Sequence, residues 1–155
     1  MRANGLRTMA SIALMASALT AVAHDYSIGA LHIDHPYARA MPPGARTAAA
    51  YLGIENRGRD ADALQSASTP RAASVELHTM SSEGGMMRMR EVKEVALPPG
   101  RTVTFGPGGL HIMLVDPNPP LRKGDRVPLT LTFARAGTVT VQLDVEAMTA
   151  QMHPH

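Results

Sequence analysis

Two short pairs of histidine and methionine give this sequence its clearest chemical signal. His78 and Met80 form one pair, His111 and Met113 form the other, and one residue separates the members of each pair. If each pair lies on a β-strand, its two side chains point to the same face, because side chains alternate along a strand. Each pair could then present an imidazole nitrogen and a thioether sulfur to one ion.

A third segment between these pairs contains further methionines. Met87 and Met89 have the same spacing, and Met86 precedes them directly. Three strands that meet at one end of a sheet could therefore bring several thioethers close to two imidazoles. Met80 shares a predicted face with His78, so it is a candidate ligand. Met86 and Met87 could form a flexible Met-rich rim around the site, or they could equally be surface and core residues with no metal contact.

The donor types select among metals. Thioether sulfur is soft and uncharged and favours Cu(I) over Zn(II), Ca(II) or Mg(II), whereas imidazole suits both oxidation states of copper. A set of two imidazoles and two thioethers adds no negative charge and should stabilise a monovalent ion more than a divalent one. The pattern therefore predicts a protein that carries Cu(I) rather than one that cycles electrons through copper.

Composition excludes some alternatives and leaves others open. The chain has no cysteine, which excludes a blue-copper site, since that site needs a thiolate ligand. Neither G-x-S-x-G nor H-E-x-x-H occurs, so we expect that the protein is not an enzyme. A non-metal, secreted β-sandwich that serves as an interaction module remains an alternative.

Short strands separated by Gly and Pro predict the fold. Alternating or apolar runs bounded by turn residues indicate an all-β protein, an antiparallel β-sandwich or barrel, with no amphipathic helix of convincing length. The predicted strands cover residues 28–33, 48–55, 63–67, 74–80, 87–95, 102–105, 110–115, 127–133 and 138–145.

The first 23 residues have the pattern of a secretory signal peptide. Arg2 and Arg7 precede an apolar stretch from Met9 to Leu19, and Ala-Val-Ala at 21–23 matches a cleavage site. The stretch is too short for a good membrane span, so we expect no stable membrane insertion. No cysteine follows it, so we expect no lipid anchor. These features predict export to the periplasm, a single domain at 24–146 and a flexible tail at 147–155.

Charge gives no sign of a nucleic-acid partner. The chain has 15 Lys and Arg against 13 Asp and Glu, and without Arg2 and Arg7 the two classes balance. We therefore expect no binding to nucleic acid.

The two ends of the mature chain offer weaker metal candidates. Cleavage after Ala23 would make His24 the first residue, whose α-amine and imidazole could together chelate Cu(II). Short tracts rich in His can also bind metal. The tail could therefore hold a second copper ion, with these candidate ligands: Met148, Met152, His153 and His155.

The spacing of four residues resembles a known family signature. Ten residues separate His78 from Met89, twenty-one separate Met89 from His111, and one separates His111 from Met113. This resembles the H-x10-M-x21-H-x-M motif of the periplasmic copper chaperones called PCuAC. Nearby segments also resemble that family: HPYAR at 35–39, VELH at 75–78, MRMR at 87–90 and GGLHIML at 108–114.

The resemblance implies a cupredoxin-like antiparallel β-sandwich and a Cu(I) site with His78, Met89, His111 and Met113 as ligands. It also implies delivery of copper for assembly of a cytochrome oxidase copper centre. The recipient would be an oxidase subunit or a thiol-containing assembly factor. Some family members carry a Met/His-rich C-terminal extension that binds additional copper, including Cu(II). Sequestration of copper for tolerance is an alternative to delivery.

Overall fold

The computed structural model describes residues 25–148, and every regular element in that range is a β-strand. The strands are β1 (Tyr26–Ile28), β2 (Leu31–Arg39), β3 (Thr47–Asn56), β4 (Asp62–Ser68), β5 (Ser74–Glu83), β6 (Met86–Glu91), β7 (Val95–Leu97), β8 (Thr102–Phe105), β9 (His111–Val115), β10 (Arg126–Phe133) and β11 (Gly137–Glu146). The prediction of an all-β protein is confirmed. No helix long and apolar enough to cross a membrane occurs within this range.

The strands form one mixed sheet with the order β6-β5-β9-β3-β2-β11-β10-β4-β7, to which β1 adds beside β2 and β8 beside β3. The pairs are antiparallel except that β11 runs parallel to β2. Five strands separate β4 from β5 in this order, yet the two strands contact each other. The sheet therefore folds back on itself and encloses an apolar core.

Alternating burial explains why these segments are strands. In β10 every second residue is buried, namely Val127, Leu129, Leu131 and Phe133. The core is almost entirely aliphatic, and Phe105 and Phe133 are its two phenylalanines. Burial of this apolar surface stabilises the sheet, since each fully buried aliphatic side chain contributes about 1.5–3 kcal/mol.

Two predicted strands differ from the observed ones. The segment 28–33 is interrupted by a turn at Gly29 and Ala30, and Gly29 has a φ of 55° that favours glycine. The segment 87–95 is divided as well: β6 ends at Glu91, and Val95 belongs to β7, which pairs with β4. The first division is the turn of a hairpin between β1 and β2, whereas the second arises because β7 pairs with β4, which is distant in sequence.

Three adjacent strands at one end of the sheet position the His/Met residues. β5 pairs with β6 on one side and with β9 on the other, and β9 continues to β3. Leu77 and Ile112 lie opposite each other and are buried in the core. Their chain neighbours His78 and His111 therefore occupy the reverse face of the sheet.

Candidate metal centre

The centre of the candidate site is a cross-strand pair of histidines. His78 on β5 lies directly opposite His111 on β9, and their ring centroids are 5.5 Å apart. Both residues are buried, with 9% and 7% of their surface exposed. Two imidazoles at this separation on a fixed ladder of strands can approach one ion together.

A hydrogen bond to the backbone fixes the orientation of the His111 ring. Nδ1 of His111 lies 3.0 Å from the carbonyl oxygen of Gly109, so Nδ1 carries the proton and donates it. The carbonyl is held by a tight turn in which the Gly109 amide donates to the Gly106 carbonyl, and Gly108 has a φ of 83°. The other ring nitrogen, Nε2, is therefore left with a free electron pair.

That free nitrogen faces the sulfur of Met89. Nε2 of His111 and Sδ of Met89 are 3.1 Å apart. In the neutral ring Nδ1 holds the single proton, so neither of these two atoms has a proton to donate. Two electron-pair donors that face each other this closely could hold a soft cation between them.

His78 offers a second free electron pair. Its Nε2 lies 2.7 Å from a carboxylate oxygen of Glu76 and donates to it, so Nδ1 is the unprotonated nitrogen of the neutral ring. Nδ1 is buried and has no hydrogen-bond partner within residues 25–148. An unpaired buried polar atom costs about 1–3 kcal/mol. A cation bound at Nδ1 would offset that cost.

The remaining predicted methionine ligand shares this face of the sheet. Met113 follows His111 by two residues, lies opposite Glu76 on β5 and is half-buried. Thus His78, Met89, His111 and Met113 all lie on one face of three adjacent strands. Their donors are neutral and two of them are soft, which suits a soft monovalent cation.

The other methionines surround this cluster at the edge of the sheet. Met80 is half-buried and lies directly opposite Met89. As predicted, it is on the same face of β5 as His78. Met86 and Met87 lie on β6 and are 62% and 58% exposed. Because β6 is the edge strand at this end of the sheet, these thioethers are open to solvent.

Met148, the tail candidate that falls within the described residues, does not join the cluster. Met148 is exposed, and its carbonyl oxygen accepts a hydrogen bond from Arg39 on β2, from which β9 is separated by β3. His24, Met152, His153 and His155 lie outside the described residues. Within residues 25–148, no group of three or more His, Asp or Glu side chains could hold a metal ion.

Two groups at the site were not assigned a role from the sequence. The sequence places Glu76 on the same face as His78 because the two residues are two apart, but that spacing does not reveal the 2.7 Å hydrogen bond. For the hydrogen bond between His111 and the Gly109 carbonyl, the only signal in the sequence was the Gly-Gly turn shortly before His111. Both groups act on the histidines, each by holding one ring nitrogen.

Comparison with known proteins identifies relatives over most of the described chain. Residues 31–145 match the model of the family "Putative lipoprotein LpqE-like". One curated relative is "Putative lipoprotein Lxx21020" from Leifsonia xyli subsp. xyli, which is 32% identical over 104 residues, or 66% of this chain. The match spans 63% of that relative's length.

Solved structures similar to this chain include copper-bound domains. The copper-bound PCuAC domain from PmoF2 is 32% identical with a TM-score of 0.70, and the match covers 80% of this chain and 98% of that domain. The solution structure of CuI-DR1885 from Deinococcus radiodurans is 31% identical with a TM-score of 0.62, covering 83% and 85% of the two chains. The resemblance to PCuAC domains and the cupredoxin-like β fold are thereby confirmed.

Proposed function

The chain belongs to the LpqE-like family, and on this premise we propose that it is an exported copper chaperone. In this proposal one Cu(I) ion is held by His78, Met89, His111 and Met113 and is then passed to another protein. The family is described as lipoproteins, which suggests an exported protein, and the leader at residues 1–23 supports a periplasmic location.

The observation that carries the proposal is the contact between His111 and Met89. Nε2 of His111 lies 3.1 Å from Sδ of Met89, while Nδ1 is already occupied by the Gly109 carbonyl. A buried histidine in a purely structural role would satisfy its second nitrogen with a hydrogen-bond donor. Here that nitrogen faces a thioether, which supports binding of a soft metal.

The choice of Cu(I) over other ions follows from the charge and softness of the donors. Zn(II) sites usually combine thiolate, imidazole or carboxylate ligands, and this chain has no thiolate. Two thioethers and two imidazoles leave a divalent ion without charge compensation among its direct ligands. Cu(I) carries one charge and favours sulfur, so the same four donors hold it well.

Transfer to a partner would begin at the exposed side of the site. Met89 is 50% exposed on the terminal strand β6, whereas both histidines are buried. A thiolate from a partner can therefore displace Met89 first, while the histidines still hold the ion. We propose that the recipient is a cytochrome oxidase subunit or a thiol-containing assembly factor, which would accept copper into a stronger set of ligands.

The test is a competition titration with Cu(I) against a chromophoric Cu(I) chelator. The purified protein should bind one Cu(I) tightly, and Met113→Ala should bind it far more weakly. Met148→Ala is the matched control, because it removes an exposed methionine that lies away from the cluster. A wild-type protein that cannot compete with the chelator would exclude copper binding and favour a non-metal interaction module.

A second experiment separates delivery from sequestration. The Cu(I)-loaded protein is mixed with a soluble oxidase copper domain in the reduced state, and copper in each protein is measured after separation. Delivery predicts that most of the copper moves to the oxidase domain within minutes. Retention by the loaded protein, with an oxidase domain that still accepts free Cu(I), would favour sequestration.

A further inference from the structure

The two histidines of the site are held in opposite ways, and the difference comes from Glu76. In His111 the nitrogen that donates to a protein oxygen is Nδ1, at 3.0 Å from the Gly109 carbonyl. In His78 it is Nε2, at 2.7 Å from the Glu76 carboxylate. The free electron pair is therefore on Nε2 in His111 and on Nδ1 in His78.

Because His78 is buried, the position of its ring proton determines which ring nitrogen can bind a cation. The His78 side chain is only 11% exposed, and Nδ1 has no hydrogen-bond partner within residues 25–148. A proton on Nδ1 would become a buried donor without an acceptor, which is costly. An electron pair on Nδ1 is free to bind a cation beside the His111 ring, and the centroids of the two rings are 5.5 Å apart.

We propose that Glu76 is a positioning residue that makes His78 bind Cu(I) through Nδ1, whereas His111 binds it through Nε2. This inference rests on the proposed copper function of the site. Glu76 accepts a hydrogen bond from the Nε2–H of His78 and so fixes both the tautomer and the orientation of the ring. Its negative charge also balances the single positive charge of Cu(I) without direct coordination.

The geometry of the strand explains why Glu76 can take this role. Glu76 and His78 are two residues apart on β5 and share a face, and Glu76 is 36% exposed while His78 is covered. The carboxylate therefore remains partly solvated while it holds a buried ring. On the neighbouring strand β6, Glu91 lies directly opposite His78 and is exposed. It carries the same charge as Glu76 and is also close to His78.

The experiment measures the tautomers directly by long-range proton–nitrogen NMR on the purified protein with 15N-labelled histidines, before and after one equivalent of Cu(I). Without metal, His78 should be the Nε2–H tautomer and His111 the Nδ1–H tautomer. With Cu(I), the largest 15N shifts should occur at Nδ1 of His78 and Nε2 of His111. A metal-free His78 that is doubly protonated or protonated on Nδ1, or a Cu(I) shift at Nε2 of His78, would overturn the assignment.

Variants separate a positioning role from a merely structural one. Glu76→Ala should abolish the tautomer preference of His78 and weaken Cu(I) binding about 10–100-fold, as expected for a partner that orients a ligand. Glu76→Gln keeps an acceptor oxygen and should retain the tautomer with a smaller loss. Glu91→Gln, the matched control, should change neither readout by more than about twofold, given the typical size of exposed charge effects.

The outcomes also distinguish the two proposals. If the wild-type protein shows the expected tautomers but binds no Cu(I), the copper function fails and the Glu76–His78 hydrogen bond is structural. If Cu(I) binds tightly in both wild type and Glu76→Ala, the copper function stands and the role of Glu76 is refuted.

Discussion

The histidine pair on β5 and β9 and the methionine strand β6 are adjacent, yet they differ sharply in burial. His78 and His111 are 9% and 7% exposed, and each ring is fixed by one short hydrogen bond. Met86, Met87 and Met89 are at least half exposed on a strand with no residue buried. One half of the site is therefore preorganised, and the other half is open to exchange.

This difference gives the two halves separate tasks in the proposed function. Preorganised ligands lose little conformational freedom when an ion binds, so they contribute most of the affinity. Exposed, unbranched thioethers adapt to different partners and are easily reached by an incoming thiolate. We therefore expect substitutions in the histidine pair to change affinity most, and substitutions on β6 to change exchange rates.

The largest effect is expected for His111→Ala. Loss of this imidazole should weaken Cu(I) binding by more than about 100-fold, beyond the typical loss for a residue that only supports a ligand. At free Cu(I) of 1,000 times the wild-type Kd, the metal should raise the free energy of unfolding of the wild type by about 4 kcal/mol, and that of the variant by about 1.4 kcal/mol or less. Thermal unfolding followed by circular dichroism, with and without Cu(I), measures both quantities.

The fold of this variant should persist without metal. His111 lies on the reverse face from the core, where Ile112 and Leu77 still pack. An unfolded His111→Ala variant would indicate that the imidazole acts mainly as a structural group and would weaken the comparison.

The second largest effect is expected for substitutions of the two methionines of the proposed site, Met89 and Met113. Met89→Leu on the exposed strand should accelerate Cu(I) dissociation by about 10–100-fold with almost no change in metal-free stability. Met113→Leu, at the half-buried position, should weaken Cu(I) binding as much as Met89→Leu does. Its transfer of Cu(I) to a chelator should be slower than that of Met89→Leu. Stopped-flow transfer to a chromophoric chelator measures both rates. Equal exchange rates in the two variants would contradict the proposed order of ligand release.

A smaller effect is expected for the methionines around the site. Met87→Leu should leave Cu(I) affinity within about twofold, since exposed substitutions usually have small effects, and slow the transfer to a thiol partner by a few fold. Met148→Leu provides the control at an exposed position away from the site. If Met87→Leu lowers affinity as much as Met89→Leu, Met87 is itself a ligand.

The smallest effect on Cu(I) is expected at the chain ends. Truncation after Glu146, alone or with His24→Ala, should leave Cu(I) affinity unchanged. If the tail or the mature N-terminus binds Cu(II), these variants should lose one equivalent of Cu(II), as measured by electron paramagnetic resonance. Retention of all Cu(II) in the combined variant would remove both ends as candidate sites.

The alternation of side chains made one face of this site predictable from sequence. The expected separation of Leu77 from Glu76, His78 and Met80 is observed, because a period of two follows directly from the pleated strand. The all-β class was predictable for the same reason, together with the Gly and Pro turns. Patterns of this kind depend only on neighbouring residues.

The pairing of strands was not predictable in the same way. The position of His78 opposite His111 joins two strands that are 33 residues apart at this pair, and only the pairing of the strands in the sheet shows it. The division of the segment 87–95 depends on β4, in which Leu64 pairs with Val95, 31 positions later in the chain. The hydrogen bonds of Glu76 and Gly109 depend on ring orientation, which a sequence pattern does not contain.

The alternation along β5 and β9 also limits how this protein can evolve. Leu77 and Ile112 belong to the core, while their chain neighbours His78 and His111 belong to the site. Insertion or deletion of one codon within either strand would turn the following side chains of that strand to the opposite face of the sheet. In a single event, core residues would leave the core and site residues would point into it. Substitutions can alter metal binding alone, but changes of length within these strands must alter folding and metal binding together.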